Sequence, residues 1–243
     1  MHRRHTAAGA ALVAVLSTIA IASPSPLAAQ SAPPTIACDA AAAASPMSGR
    51  GGMKMGTPAA ESHAMTGHQL EFDQAYIDMM IPHHASIIAM AEAALPRLSD
   101  ERLREIARAI IATQQPEIAQ LRDDRERWYG EASPMPMDDS MMSAMTELMP
   151  AMSGTREDMA FQMDAASQVA AICAAENPDL TFIALTIPHH RMAIESSQIA
   201  LARAVHPEIA DFARRVIAAQ QREIETLDQI RAELTGEGTP TGG

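Results

Sequence analysis

Asp78-Met79-Met80-Ile81-Pro82-His83-His84 and Ala184-Leu185-Thr186-Ile187-Pro188-His189-His190 are two versions of one heptapeptide, and their spacing decides the fold. Ile-Pro-His-His is common to both, and Gln114-Gln115 recurs as Gln220-Gln221; 189 − 83 and 220 − 114 both give 106. Asp73/Asp179, Ile77/Ile183, Ala107/Ala213, Arg108/Arg214, Glu117/Glu223, Ile118/Ile224 and Leu121/Leu227 fall at the same shift. One offset held across so many positions marks an internal duplication, with no insertion between the two motifs of a copy.

Outward from the motif, each copy reads as a helical hairpin. Leu103, Ile106, Ala107, Ile110, Gln114, Ile118 and Leu121 follow the i, i+3, i+4, i+7 rule of an amphipathic helix, as do Ile209, Phe212, Ala213, Val216, Gln220, Ile224 and Leu227 in the second copy. Ser99 or Asp100 can cap the first of these helices, Gly130 can end it, and Pro207 suits a first turn. The preceding helices are expected over about 71–95 and 179–204. Each hairpin alone leaves an apolar face uncovered, so the two should pack as a four-helix bundle. Pro82 and Pro188 sit where the helical pattern continues on both sides. Either the helix kinks there and frees the carbonyls of Asp78 and Ala184, or a new helix restarts at each proline.

Composition agrees with an all-α class. Of 243 residues, aromatics are 3% and Met reaches 18, while helix formers fill the periodic segments. Residues 1–29 read as a signal peptide: Arg3 and Arg4 precede an apolar run from Ala7 to Ala22 and a small-residue exit. That run is short for a bilayer span of roughly 20 residues, so no membrane association is expected after its removal. The two arginines leave with it, and the formal charge moves from −12 to −14. An acidic surface argues against nucleic acid as a partner. A flexible Met/Ala/Gly-rich segment is expected over 30–67, the first hairpin over 68–130, a Met-rich linker over 131–155, a helix plus the second hairpin over 156–235, and a disordered tail over 236–243. Within the linker a loop at 133–136 is expected first, and one helix is expected from Arg156 to Ala175. A periplasmic or secreted location permits a Cys38–Cys173 disulfide, with two unpaired thiols as the alternative.

The chemistry-bearing residues lie on the first helix of each hairpin. Met79 and Met80 are three or four residues from His83 and His84, and Met90 is seven from His83, so all can share a helix face. Imidazole with thioether is a soft to borderline donor set, which favours Cu(I) and its analogue Ag(I) and admits Cu(II) through nitrogen. The second copy keeps His189 and His190 but has Leu185, Thr186 and Ser196 where the first has Met79, Met80 and Met90; Met192 is its nearby thioether. Gln114 and Gln220 fall inside apolar stripes, where an unpartnered amide costs roughly 1–3 kcal/mol, so each should meet a polar group such as a His or a freed carbonyl. Glu117 and Glu223 are placed to hold the second imidazole nitrogen, or else to face solvent. Taken alone, a methionine stripe of this kind is more often core than ligand.

The Asp78–His84 motif with Met90, followed by Gln114-x-x-Glu117-Ile118, resembles the family known as domain of unknown function 305, the CopM-like proteins. The resemblance covers about 71–127 and again 179–234. It implies a ferritin-like helical bundle, an extracytoplasmic location and, from characterised relatives, copper or silver binding and tolerance. It also implies ligand roles for Met80, His83, His84 and Met90, with His189 and His190 from the second copy.

The expectation is therefore a non-enzymatic, exported copper-binding protein for sequestration, tolerance or delivery, with a copper-handling protein as a candidate partner. A structural or stress-adaptor envelope protein is the alternative. A ferritin-like di-iron oxidase would want Glu-x-x-His pairs, and the sequence has none.

Overall fold

The computed structural model describes Cys38 and residues 71–237. The signal peptide, all of the 30–67 segment except Cys38, and the tail from 238 onward lie outside the described residues. The described part is all-helical: α1 (Phe72–Ala94), α2 (Glu101–Tyr129), α3 (Asp139–Leu148), α4 (Arg156–Gln162), α5 (Ala165–Cys173), α6 (Pro178–Arg203) and α7 (Pro207–Thr235). No strand occurs among these residues, and none of their helices is long and apolar enough to cross a membrane.

The duplication is visible in three dimensions. Helices α1 and α2 form one hairpin and α6 and α7 the other, with α1 also packed on α6. Pro82 and Pro188 are interior, so α1 and α6 each run through their proline rather than restarting. Asp100 caps α2 by accepting from the Arg102 amide, and Gly130 ends it in the left-handed region at φ 85°.

The hairpins clasp each other reciprocally. Asp73, at the start of α1, accepts the amides of Val205 and His206 and the Nδ1–H of His206, from the loop before α7. Asp179, at the start of α6, accepts the amides of Ser99 and Asp100, from the loop before α2. Both clasps obey the 106-residue shift, the signature of a two-fold relation between the copies.

The segment between the hairpins is more ordered than the linker expected there. Asp138 caps α3 by accepting the Met141 amide, and Met141, Met142, Met145 and Met149 are buried in the core. The single helix expected from Arg156 to Ala175 is two, because Asp164 accepts the amides of Ala166 and Ser167 and starts a new helix. Helix α5 packs on both α1 and α6, so the core is more than two hairpins. Cys173, at its end, is bonded to Cys38 with Cα atoms 5.3 Å apart.

Two apolar clusters fill the interior. One gathers Phe72 to Ile81 of α1 with the α3 methionines, Met192, Phe212 and Val216. The other gathers Ile87 to Ala94 of α1 with Leu103, Ile110, Val169, Phe182 and Leu227. The turn of α1 from His83 to Ser86 lies between the two sets, as do His189 and His190 on α6.

Candidate metal centre

Histidine beside histidine, after a proline in mid-helix, places two imidazoles on neighbouring faces of one turn. In both copies the first histidine turns toward the opposite hairpin and the second toward its own. The His83 and His189 rings face each other at a 35° tilt with centroids 3.6 Å apart, and both are fully buried. His83 Nε2 lies 3.1 Å from the His189 carbonyl, and His189 Nε2 lies 3.0 Å from the His83 carbonyl. A carbonyl only accepts, so each Nε2 carries the proton. His84 Nε2 lies 3.0 Å from Glu117 Oε2, and His190 Nε2 lies 2.6 Å from Glu223 Oε2. Carboxylate oxygens likewise accept, which fixes the same tautomer.

The consequence is one unshared electron pair per ring. The Nδ1 atoms of His83, His84, His189 and His190 are all buried and have no hydrogen-bond partner. A buried polar atom without a partner costs roughly 1–3 kcal/mol, so four of them in one layer call for a ligand or a compensating role. Burial, reinforced by the neighbouring imidazoles, holds His83 and His189 well below the ordinary imidazole value of 6.5. These two rings are therefore neutral near pH 7, and their lone pairs are available.

Several polar groups complete the layer. Ser86 Oγ donates to the Gln162 carbonyl at 2.5 Å and lies 3.1 Å from His189 Nε2. The Gln168 amide donates to the carbonyls of Phe161 and Gln162. Neither Ser86 nor Gln168 was singled out from sequence. Ser86 could have been, since it follows His83 by three on a helix. Glu117 and Glu223, read from sequence either as partners of an imidazole nitrogen or as solvent-facing, each lie against the second histidine of their own hairpin. Gln114 and Gln220 differ from expectation: their Oε1 atoms are buried without a partner. The physical reason is that every imidazole N–H is already donated to a carbonyl or a carboxylate, leaving these rings only acceptor nitrogens.

Met79, Met80 and Met90 are completely buried and Met192 nearly so. Met79, Met80 and Met192 belong to the apolar cluster on one side of the histidine layer, and Met90 to the cluster on the other. Asp78, beside Met79, is paired with Arg125 at 2.5 Å, both buried. Among the described residues no group of three or more His, Cys, Asp or Glu side chains is arranged to hold a metal ion. Any ion held here would need imidazole in ones or twos supplemented by another donor, such as a methionine thioether.

The sequence profile of the family described as domain of unknown function (DUF305) matches residues 73–231. No curated protein matches the chain. Among solved structures the chain is similar to CopM in the Cu(I)-bound form, at 27% identity and a TM-score of 0.52, over 67% of this chain and 96% of that one. It is similar to the Cu(II)-bound form at 27% identity and a TM-score of 0.51, over 69% and 99%. A DUF305 protein from Streptomyces coelicolor, inferred to be secreted, matches at 22% identity and a TM-score of 0.53, over 71% and 98%, a likeness of fold.

Proposed function

The chain belongs to the DUF305 family, and on that premise we propose that it is an exported, non-enzymatic copper-binding protein that sequesters or delivers the ion and confers tolerance to it. The observation that carries this reading is the set of four buried imidazoles whose Nε2–H is committed and whose Nδ1 lone pair is not. A ligating histidine usually donates its other nitrogen to a carbonyl or carboxylate, and that outer arrangement is present here before any ion arrives.

His83, His84, His189 and His190 supply nitrogen, and Met79, Met80, Met90 and Met192 supply thioether sulfur. This set suits Cu(I) best, takes silver as its analogue, and admits Cu(II) through nitrogen. CopM has been solved with Cu(I), Cu(II) and silver bound, which supports the same choice of ions for this chain. Glu117 and Glu223 orient the second histidine of each pair, while Gln114 and Gln220 stand close in the stripe. The two hairpins are read as a ferritin-like four-helix bundle with α5 added to its flank. A periplasmic or secreted site is supported by the basic, apolar and small-residue run at 1–29 and by the Cys38–Cys173 bridge. If the ion is delivered rather than stored, a copper-handling protein is its recipient.

A second reading has its own observation. The exchange of Nε2–H bonds between His83 and His189 staples the hairpins together and would do so without metal. An anaerobic Cu(I) titration against a chromophoric chelator separates the two. Metal binding predicts competition by the parent chain and a loss of at least tenfold in affinity for His83→Ala/His84→Ala. A parent chain that leaves the chelator fully loaded supports the staple instead.

A further inference from the structure

Helix α4 and the middle of α6 enclose a pocket of about 240 Å³ outside the histidine layer. That is about eight waters at roughly 30 Å³ each, too small for a drug-sized ligand but ample for an ion and its remaining waters. Two buried thioethers, Met159 and Met192, line it from opposite elements. Gln162 lines it too; this residue is 8% exposed and its Oε1 has no hydrogen-bond partner. Asp158 and Glu195 contribute carboxylates and Arg191 one guanidinium, so the lining is net negative. The carboxylates are already committed: Asp158 to the amide and hydroxyl of Thr155, Glu195 to those of Ser153. Apart from the exposed Arg191 guanidinium, what remains uncommitted is sulfur and an amide oxygen, which recognise a soft, weakly hydrated cation.

We propose that this pocket is an outer capture site for a soft monovalent cation, Cu(I) or Ag(I), held by the Met159 and Met192 thioethers with the Gln162 amide oxygen, Met192 being the one donor it shares with the histidine layer. The proposal rests on the copper reading only for the choice of ion. Its position suits a mouth to the histidine layer. The Gln162 backbone carbonyl accepts from Ser86 Oγ, which lies 3.1 Å from His189 Nε2, and Met192 follows His189 by one helical turn. An ion in the pocket thus sits on the outer side of the wall whose inner side is His189.

The test follows the methionine methyl carbons by NMR in the full chain labelled with 13C-methyl methionine, titrated with silver nitrate in chloride-free buffer. The Met159 and Met192 methyls should move together and saturably. They should still move in His189→Ala/His190→Ala, and Met159→Leu should weaken the Met192 response at least tenfold. Immobile Met159 and Met192 methyls overturn the proposal, whatever the histidines do. A Met192 response unchanged by Met159→Leu overturns it as well. If the histidine variant does not fold, the parent and Met159→Leu decide the matter alone. Failure of the copper reading looks different: the methyls move while the imidazoles stay silent.

Discussion

His83 and His189 each donate an Nε2–H to the other's backbone carbonyl, at 3.1 and 3.0 Å, while their rings lie tilted with centroids 3.6 Å apart. The pair is at once a joint between the two halves of a duplicated chain and the centre of a layer of unshared nitrogen lone pairs. Whether those lone pairs cost stability or bind an ion is the question on which the account turns.

Acid should weaken the fold through this pair. The folded-state values of both rings are depressed by burial, so below about pH 6.5 the unfolded chain binds protons that the folded chain refuses. Stability contributed by neutral His83 and His189 is thus intact above the ordinary value and is lost as pH falls from there toward the folded values. Two such groups give a slope of up to about 2.7 kcal/mol per pH unit in that window. Urea titrations at pH 7.5, 6.5 and 5.5 should show the decline, and His83→Gln/His189→Gln should flatten it. An unchanged slope in that variant would count against the assignment.

The two clasps should differ in strength. Asp73 is buried and accepts from Val205, His206 and the His206 ring, whereas Asp179 accepts from two amides near the surface. Asp179→Ala should cost about 1 kcal/mol, the usual scale of a lost cap. Asp73→Ala should cost roughly 2–4 kcal/mol, since a buried charged acceptor is lost and three donors lose their partner at once. Equal losses in denaturant midpoint would show that the third acceptance, from the ring, contributes nothing.

Much of this was legible in sequence. The 106-residue offset gave both hairpins, and Glu117 and Glu223 followed from their place beside the glutamine stripes. The clasps were not legible, although Asp73 and Asp179 were among the matched pairs, because helical periodicity reports which residues share a face and not which loop of another hairpin that face meets. Helix α3 was missed because the stretch was read as a Met-rich linker. Yet Met141, Met142, Met145 and Met149 with Asp138 before them form a capped helical stripe. Methionine fills cores and binds soft metals with the same atoms, so its spacing alone does not separate the two uses.

Reducing the Cys38–Cys173 bridge should destabilise the fold by roughly 2–4 kcal/mol, chiefly by releasing a chain closed over a sequence separation of 135 residues. Thermal melts with and without reductant check this. A melting temperature that does not move would indicate that the bridge constrains little of the unfolded chain.

Replacing Met79, Met80 and Met90 with Leu nearly conserves volume, so folding should survive at a cost of under about 1.5 kcal/mol per site. Cu(I) affinity should fall by tenfold or more and Cu(II) affinity by less, because thioether serves the softer ion. The first copy should also bind more tightly than the second, which lacks these three sulfurs. Equal losses for His83→Ala/His84→Ala and His189→Ala/His190→Ala would overturn that ranking. A folded Leu variant that holds Cu(I) as tightly as the parent would make these methionines core alone.

The most direct measurement is 15N NMR of the imidazole nitrogens during anaerobic addition of Cu(I). Before metal, each ring should carry a proton on Nε2, and His83 and His189 should be neutral with an unshared pair on Nδ1. On addition, the Nδ1 signals of His83 and His84 should shift first and those of His189 and His190 later, while every Nε2 stays protonated. If Cu(I) binds and none of the four Nδ1 signals moves, the imidazoles are a staple and the metal is held elsewhere.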